Sequence, residues 1–515
     1  MQPNSTADVQ GTNETGRATA SSIAPLSNIN EADAELARRI AQQIDGDKFK
    51  AARWGILVVS LRDGRTLYAR NQEELFVPAS NMKLYTTAAA LELLGPDYRW
   101  RTSAYAAAGP DAQGTISSDL TLYGRGAPDL ASRVTRQTPV AHLSEMADAL
   151  YRRGIRRVRG AIVGDESYLR GNSLGDGWQW NDVQWYFGAE PSALSVDGNE
   201  ITISITPATK AGEPAQVKLV PQTDYVRVVN DTETITRGEK STLGVTRGLS
   251  DNEVRVWGAF PLGQATFSVR LSVHRPALWA AQLFRAALIA RGISVEGGTR
   301  ARDARVRASE RFEPSRAVEL AFVESAPLTE VVRQTNKESL NLHAELLLRT
   351  LGKERGAALA PVTDPQRERQ RGDDEAGGAV LRQWLQISVG ADAAAALALH
   401  DGSGLSRLNL VTPATTVRLL RHMARSPLAT VFHDSLPISG DDGTLADRLR
   451  DAKTRARIAA KTGALTYTNS LSGYLMTADS EPIAFSILCN DETGRAPATR
   501  TIDVIAETMT AYPFD

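Results

Sequence analysis

The chain has 515 residues, of which 42% are hydrophobic and 23% are charged, and its formal net charge at pH 7 is −1. This composition is that of an ordinary globular protein, and the length allows roughly two to four domains. The balanced charge excludes bulk electrostatic attraction to nucleic acid or to an anionic membrane, so neither is predicted as a partner. Cys489 is the only cysteine, which excludes an intramolecular disulfide.

The N-terminal residues 1–30 are rich in small and polar residues and lack apolar periodicity, so we expect a disordered segment there. They contain no apolar core of a signal peptide, and no stretch of the sequence reads as a transmembrane span. The pattern then predicts a helix over 33–44 and a strand over 54–60. A second, strongly apolar helix is predicted over 84–94, with Gly95 as its stop signal.

The segment Ser80-Asn81-Met82-Lys83 opens this second helix. A serine in the first turn lies beside free backbone N–H groups at the positive end of the helix dipole. A lysine three residues later lies on the same face, so the amine of Lys83 can reach the hydroxyl of Ser80. A serine next to a base is the arrangement that activates a nucleophile. On this tetrapeptide alone, a capping serine followed by a solvated lysine remains the alternative.

From about 102 to 301 the pattern changes to short strands separated by turns. Two similar units, each a helix followed by Gly-Ile and a short strand, are predicted at 140–160 and 276–297. We expect them to pack as one α/β insert. The residues between them, about 170–270, predict a second insert that is rich in β-strands.

Two Ser-x-Asn segments are candidates for supplying a hydroxyl and an amide to a catalytic centre. Ser250 and Asn252 follow a predicted turn between strands, whereas Ser339 and Asn341 open a strongly apolar helix. Catalytic groups must be held by packed elements, so we assign Ser339 and Asn341 to the site. Farther along, residues 353–378 predict a surface excursion because they are charged and contain Pro and Gly.

The segment Lys461-Thr462-Gly463 lies among stretches that read as paired strands, at 456–460, 469–475 and 482–488. A strand edge beside a serine supplies a backbone rail for an extended peptide. Here it would also supply a cation, a hydroxyl and a small residue that lets a substrate come close.

Together, these motifs resemble those of the penicilloyl-serine transferases, the penicillin-binding proteins and serine β-lactamases. Two longer segments, at 401–407 and 436–445, are similar to those of class C, type-4 penicillin-binding proteins, the D-Ala-D-Ala carboxypeptidases/endopeptidases of peptidase family S13. Segments 178–182 and 191–199 are similar to that family as well. The resemblance covers about 31–515 and includes the order and spacing of the motifs.

The resemblance implies an α/β (α+β) fold. A penicillin-binding-protein/serine β-lactamase-like catalytic domain, with an antiparallel sheet flanked by helices, would carry a large insertion after the nucleophile helix. Since 256 positions separate Lys83 from Ser339, the insertion must form domains of its own. The predicted division is a disordered segment at 1–30, a catalytic domain at 31–101 and 302–515, an α/β insert at 102–169 and 270–301, and a β-rich insert at 170–269.

The resemblance also implies roles for the motif residues. Ser80 would attack the carbonyl of a penultimate D-Ala, Lys83 would accept its proton, and Ser339 would relay the proton to the leaving nitrogen. Asn341 would hydrogen-bond both Lys83 and the substrate amide. The other implied site residues are Lys461 and Thr462 for the substrate carboxylate, the small Gly463, and the N–H groups of Ser80 and Ala464 for the oxyanion. The implied partners are peptidoglycan stem peptides and β-lactams, and no metal or organic cofactor is required.

Two residues are assigned to substrate binding, each with a structural alternative. Asp182 would face the side-chain amine of the third residue of the peptide, or it caps a turn. Arg407 would line the cleft, or it braces the loop that carries Ser339 and Asn341. Asp401 is assigned to bracing.

The sequence therefore predicts a serine D-Ala-D-Ala carboxypeptidase/DD-endopeptidase that β-lactams inhibit. One alternative is a β-lactamase-like hydrolase, which would require rapid deacylation. The other is a non-catalytic peptidoglycan-binding protein, which has no need of a nucleophile–base pair. The resemblance implies a periplasmic or extracytoplasmic location, with an export signal missing from this chain, and the sequence predicts no particular oligomeric state.

Overall fold

The computed structural model describes residues 31–128, 140–303, 311–494 and 498–513. The segment 1–30, predicted to be disordered, lies outside the described residues. Across the described ranges, no helix combines the length and the apolar character needed to cross a membrane.

Strands predominate in the first two thirds of the chain, and a run of helices precedes the last three strands. The strands are β1 (Arg53–Ser60), β2 (Thr66–Arg70), β3 (Arg101–Ala106), β4 (Thr115–Ile116), β5 (Leu120–Tyr123), β6 (Arg157–Val158), β7 (Ile162–Asp165), β8 (Glu200–Thr206), β9 (Gln216–Val220), β10 (Arg227–Ile235), β11 (Gly244–Arg247), β12 (Glu253–Pro261), β13 (Phe267–Ser272), β14 (Ser294–Val295), β15 (Thr299–Arg302), β16 (Val318–Glu324), β17 (Ile458–Leu465), β18 (Thr468–Met476) and β19 (Pro482–Asn490). The helices are α1 (Glu31–Ile44), α2 (Met82–Leu94), α3 (Ala141–Arg152), α4 (Pro276–Ala290), α5 (Leu328–Lys337), α6 (Asn341–Leu359), α7 (Pro365–Gln370), α8 (Asp373–Ser388), α9 (Ala391–Ala395), α10 (Pro413–Met423), α11 (Ala429–Ser435) and α12 (Ala498–Thr510).

One five-stranded sheet is antiparallel throughout, with the strand order β17-β18-β19-β1-β2. Helices cover both of its faces, which explains why β1 is apolar at almost every position. Ile56 and Val58 face the core formed with α1 and α12. Leu57 and Val59 face the opposite core, which includes α2 and α10. Side chains alternate across a strand, so a sheet buried on both faces needs a continuous apolar run.

Helix α2 is buried on every side from Met82 to Leu91. A helix that is apolar all round belongs in the interior of a protein. It packs against α5, α6 and α8, which lie on the far side of the insertion in sequence. The N-terminal end of α2 is therefore held rigidly at the junction of both halves of the catalytic region.

The second five-stranded sheet has the order β15-β7-β5-β3-β16 and is parallel from β15 to β5. Helix α4 lies so close to β7 that a Cβ on Gly164 would be 1.9 Å from the carbonyl oxygen of Ala277. The two predicted helix–Gly-Ile–strand units come together here, since β6 pairs in parallel with β14, Arg157 opposite Ser294. Between these units, the chain forms two three-stranded sheets, β13-β8-β9 and β10-β12-β11.

The insert sheet extends beyond the predicted boundary at 302. β16 pairs antiparallel with β3 along its whole length, with Val318 opposite Ala106 and Glu324 opposite Arg101. β16 is therefore the edge strand of the insert sheet, although it lies in the range 302–515 that is predicted as catalytic. The overall division into domains remains a prediction.

The range 353–378, predicted to be a surface excursion, is largely helical. Helix α6 continues into it, and α8 begins at Asp373 and packs along α6. A Cβ on Gly352 would lie 2.0 Å from the carbonyl oxygen of Asp373, and one on Gly377 would lie 2.0 Å from that of Leu348. Most residues from 354 to 370 are exposed, as predicted, whereas several from 371 onward are buried. The packed part was not predicted because glycines that look like turn formers in the sequence let two helices approach closely.

Candidate active site

The nucleophile candidate lies where a single 3₁₀ turn, Ala79–Asn81, runs directly into α2. This places Ser80 two residues before the helix and Lys83 in its first turn, with Nζ of Lys83 2.9 Å from Oγ of Ser80. Ala79 adopts a left-handed conformation, with φ of 48°. A non-glycine residue in this region is strained, and such strain persists only where the surrounding structure enforces it. The predicted serine–lysine pair is therefore brought into contact.

The amine of Lys83 is fully buried and has two further partners. Its Nζ lies 2.6 Å from Oδ1 of Asn341 and 2.7 Å from the carbonyl oxygen of Ser403. Both of these oxygens can only accept hydrogen bonds. A neutral amine has two N–H groups and one lone pair, so it donates to these two acceptors and turns the lone pair towards the hydroxyl of Ser80. This geometry suits Lys83 as a proton acceptor.

Burial lowers the pKa of Lys83 to about 7, because the charged amine loses its hydration. The negative charge of Asp401 acts in the opposite direction, and Glu345 does so only when ionised, since burial raises its own pKa to about 8. A substantial fraction of Lys83 is thus unprotonated near neutral pH. The pKa of Lys461 is lowered as well, mainly by burial and in addition by repulsion from the positive charge of Lys83.

Another serine–lysine contact joins the segment Ser339–Asn341 to the segment Lys461–Gly463. Nζ of Lys461 donates to Oγ of Ser339 over 2.9 Å and to the carbonyl oxygen of Thr462 over 3.0 Å. Ser339 lies in the short link between α5 and α6 and has a left-handed φ of 57°. The alternative Ser-x-Asn segment has a different role, since the amide of Asn252 both donates to and accepts from the backbone of His274 in the insert.

Strand β17 passes very close to the nucleophile. A Cβ on Gly463 would lie 2.8 Å from the carbonyl oxygen of Pro78 and 3.0 Å from the backbone nitrogen of Ser80. Only glycine fits at this approach. β17 is also the outermost strand of its sheet. Residues 437–439 pair with its first part, at Ile458 and Ala460, so the edge that remains for an added peptide strand begins after Ala460. Next to the glycine, the hydroxyl of Thr462 lies 2.7 Å from that of Thr444.

These groups open into a cleft of about 440 Å³. One wall of the cleft comes from the insert. There, the backbone carbonyl oxygen of Phe187 accepts a hydrogen bond from Nδ2 of Asn341 over 2.8 Å. Six of the ten predicted site residues line the cleft, namely Ser80, Asp182, Ser339, Asn341, Arg407 and Ala464. The other four, Lys83, Lys461, Thr462 and Gly463, lie behind this surface and are not part of its lining. The insert thus completes the site rather than standing apart from it.

The sequence matches the model of the D-Ala-D-Ala carboxypeptidase 3 (S13) family over residues 36–511. This chain belongs to that family. It is 34% identical over 496 residues to the D-alanyl-D-alanine carboxypeptidase of Actinomadura sp. (strain R39), an alignment that covers 93% of this chain and 85% of the relative. The predicted class of enzyme, a serine hydrolase of the D-Ala-D-Ala carboxypeptidase type, is confirmed.

Solved structures confirm the fold of this S13 peptidase. Penicillin binding protein 4 of Haemophilus influenzae matches with a TM-score of 0.75 and 22% identity, covering 92% of this chain and 98% of that chain. The same protein complexed with a β-lactam matches with a TM-score of 0.69 and 20% identity, covering 92% and 97% of the two chains. The predicted α+β fold, with its antiparallel sheet, flanking helices and large insertion, is therefore correct.

In this S13 peptidase, Asp182 and Arg407 are half-buried and both line the cleft. Partial burial raises the pKa of Asp182, and the positive charge of Arg407 opposes that rise. Arg407 donates to the carbonyl oxygen of Thr466, 2.9 Å away, and to Oε1 of Gln179, 3.3 Å away. It therefore bridges the loop after β17 and the insert.

Several groups of the S13 site were missed in the sequence. Glu345 is buried and accepts from the N–H groups of Gly402 and Ser403, over 3.0 and 2.9 Å, which orients the Ser403 carbonyl towards Lys83. The sequence offers one indication of this role, because Glu345 is a carboxylate on a strongly apolar helix, four residues after Asn341. Phe187 contributes its backbone carbonyl oxygen. Every residue has such an oxygen, so the residue type did not indicate this role.

Proposed function

We propose that this protein removes the terminal D-Ala from peptidoglycan stem peptides, and cleaves D-Ala cross-links, through an ester on Ser80. The observation that carries the proposal is the position of the buried Lys83 amine, within 2.9 Å of oxygens of Ser80, Asn341 and Ser403. Its two acceptor-only contacts and its lowered pKa leave a lone pair directed at the hydroxyl of Ser80. This is the arrangement expected of a base next to a nucleophile.

In the acylation step, Oγ of Ser80 bonds to the carbonyl carbon of the penultimate D-Ala while Nζ of Lys83 takes the hydroxyl proton. The N–H groups of Ser80 and Ala464 would stabilise the oxyanion, and one such donor is typically worth about 3–4 kcal/mol. The C–N bond then breaks, and the proton passes by way of Ser339 to the leaving amine. This leaves an acyl ester on Ser80 and free D-Ala, or the amine of a second peptide.

Deacylation uses the same groups. A water molecule gives a proton to Lys83 and bonds to the ester carbonyl, and the proton returns to Oγ of Ser80 as the ester breaks. The contact between Lys461 and the hydroxyl of Ser339, 2.9 Å, supports a role for Lys461 in orienting that relay. A substrate carboxylate bound by Thr462 would raise the pKa of Lys461, so the bound complex gains its positive charge.

For the substrate, the cleft offers charges of both signs. Asp182 would pair with an amine on the third residue of the stem peptide, while Arg407 would contact a peptide carbonyl or carboxylate. β-Lactams, which imitate the D-Ala-D-Ala terminus, would acylate Ser80 and hydrolyse slowly. A peptidoglycan substrate implies a periplasmic or other extracytoplasmic location.

Incubation with a fluorescent penicillin, followed by mass spectrometry of the labelled peptide, tests this proposal. We expect a slowly hydrolysed adduct on Ser80 and none in Ser80→Ala, together with release of D-Ala from a pentapeptide by the unsubstituted chain only. Ser250→Ala, an exposed serine in the insert, serves as the control and should label normally. Rapid turnover of penicillin would point to a β-lactamase, and no adduct in the folded protein would point to a binding module.

A further inference from the structure

Trp180 is unusually exposed for its size. Its relative exposure is 73%, the highest of the large apolar side chains in the described ranges. The segment 177–182, which carries it, forms a ridge between two cavities, since Gly177 and Trp178 line one of them while Gln179 and Asp182 line the catalytic cleft. An exposed indole beside a working cleft is a candidate contact for a ligand.

This ridge is held in place at several points. The indole N–H of Trp178 donates to Oδ2 of Asp401 over 2.9 Å, and the backbone N–H of Asp182 donates to the carbonyl oxygen of Gln179 over 3.0 Å. Gly177 has a left-handed φ of 76°, and a Cβ there would lie 2.6 Å from Oγ of Ser406. The ridge is therefore preorganised, and binding at Trp180 requires little ordering of the backbone.

The cavity on the far side of the ridge is a groove of about 1200 Å³, larger than the catalytic cleft. Hydrogen-bonding side chains line it, among them Asn172, Ser173, Gln370 and His400. Four carboxylates and three guanidinium groups line it as well, so its charge is nearly balanced. A polyanion would need an excess of positive charge, and an apolar ligand would not match so polar a lining.

We propose that Trp180 and this groove bind the glycan backbone of peptidoglycan, a polymer of N-acetylated hexosamines, while the attached stem peptide occupies the catalytic cleft. The inference rests on the proposed function. A glycan strand is uncharged along its backbone and rich in hydroxyl and amide groups, which suits the groove. The apolar face of a sugar ring suits the exposed indole of Trp180. Because the ridge separates the two cavities, one substrate molecule can occupy both.

The first test compares kcat/KM for a free stem pentapeptide with kcat/KM for the same peptide attached to glycan oligosaccharides. The unsubstituted protein should prefer the glycan-linked substrate. Trp180→Ala should lower kcat/KM for that substrate about tenfold, which corresponds to losing one good aromatic contact, and change the free peptide less than twofold. Trp180→Phe should retain most of the preference, and Trp257→Ala, an exposed tryptophan on β12, is the matched control. Equal losses on both substrates would overturn the proposal.

The second test measures binding alone, by calorimetry of peptide-free glycan strands with the unsubstituted protein and with the W180A variant. We expect binding that W180A weakens about tenfold and that salt does not change. Salt-sensitive binding of a polyphosphate chain, indifferent to W180A, would assign the groove to an anionic polymer instead. Penicillin labelling of Ser80 in the same samples separates the two proposals, since normal labelling without glycan binding would overturn this inference only.

Discussion

Nζ of Lys83 lies 2.6 Å from Oδ1 of Asn341, although the two residues are 258 positions apart in the chain. Through Nδ2, the same amide donates to the carbonyl oxygen of Phe187 in the insert. Asn341 therefore ties together the nucleophile helix, α6 and the insert. Because its oxygen can only accept, it also determines which side of the Lys83 amine is left to face Ser80.

Replacing Asn341 by aspartate should move the pH dependence of acylation. Asn341→Asp places a negative charge at contact distance from the amine of Lys83. An opposite charge favours the protonated amine, so the pKa of Lys83 should rise and half-maximal acylation should shift upward by roughly 1–3 pH units. The rate of fluorescent-penicillin acylation, measured across pH, checks this. The matched change Asn252→Asp in the insert should leave the midpoint in place, and an unmoved midpoint in N341D would argue against contact with the titrating base.

In the unsubstituted protein, the rate of acylation should depend on pH through the deprotonation of a general base. The pKa of Lys83 is about 7, lowered by burial. Below this pH the amine is protonated and cannot accept the serine proton; above it, the neutral amine can. Acylation should therefore rise with pH, reach half its maximum near pH 7 and level off. Lys83→Ala should lose the rise and about 10²–10⁴-fold of the rate, whereas a rate that falls through this range would identify Lys83 as an acid.

The reactive side chains of the site can be predicted from the sequence, because each short segment places hydroxyl, amine or amide groups at a spacing that a helix or strand brings together. The carbonyl oxygens of Ser403 and Phe187 are not readable, although they contact the same centre. Every residue has a carbonyl oxygen, and only the folded chain decides which ones point at Lys83 or Asn341. Glu345 is an intermediate case, since a buried carboxylate needs partners but the sequence does not say which.

The fold, like the site, could be predicted from the sequence only in part. The apolar runs that become β1, β18 and β19 carry a strong local signal. The pairing of Val318–Glu324 with Arg101–Ala106 joins segments about two hundred positions apart, and no local pattern predicts which edge a strand will complete. The close contact of α6 and α8 depends on Gly352 and Gly377, which in sequence look the same as glycines of a loop.

Gly463→Ala should impair acylation far more than it impairs folding. The new Cβ would lie 2.2 Å from Oγ of Ser470 and 3.0 Å from the backbone nitrogen of Ser80, so β17 must move away from the nucleophile. A shift of this kind misplaces the oxyanion donors, and we expect acylation to fall by about 10²-fold or more. Gly298→Ala in the insert, where a Cβ meets nothing within 4 Å, is the control. Equal acylation rates in the two variants would exclude the close approach.

Removing the carboxylate of Asp401 should affect both stability and pH dependence. It is buried and accepts hydrogen bonds from Trp178, Gly404, Ser406 and Asn409, so Asp401→Ala leaves buried donors unpaired and should cost about 3 kcal/mol or more of the free energy of unfolding. Its charge also raises the pKa of Lys83, so in D401A the acylation midpoint should move below that of the unsubstituted protein. Urea unfolding and the pH profile measure the two effects. Asp434→Ala, which removes an exposed carboxylate on α11, should change neither. A D401A protein as stable as this control would show that Asp401 does not hold the loop 401–409 in place.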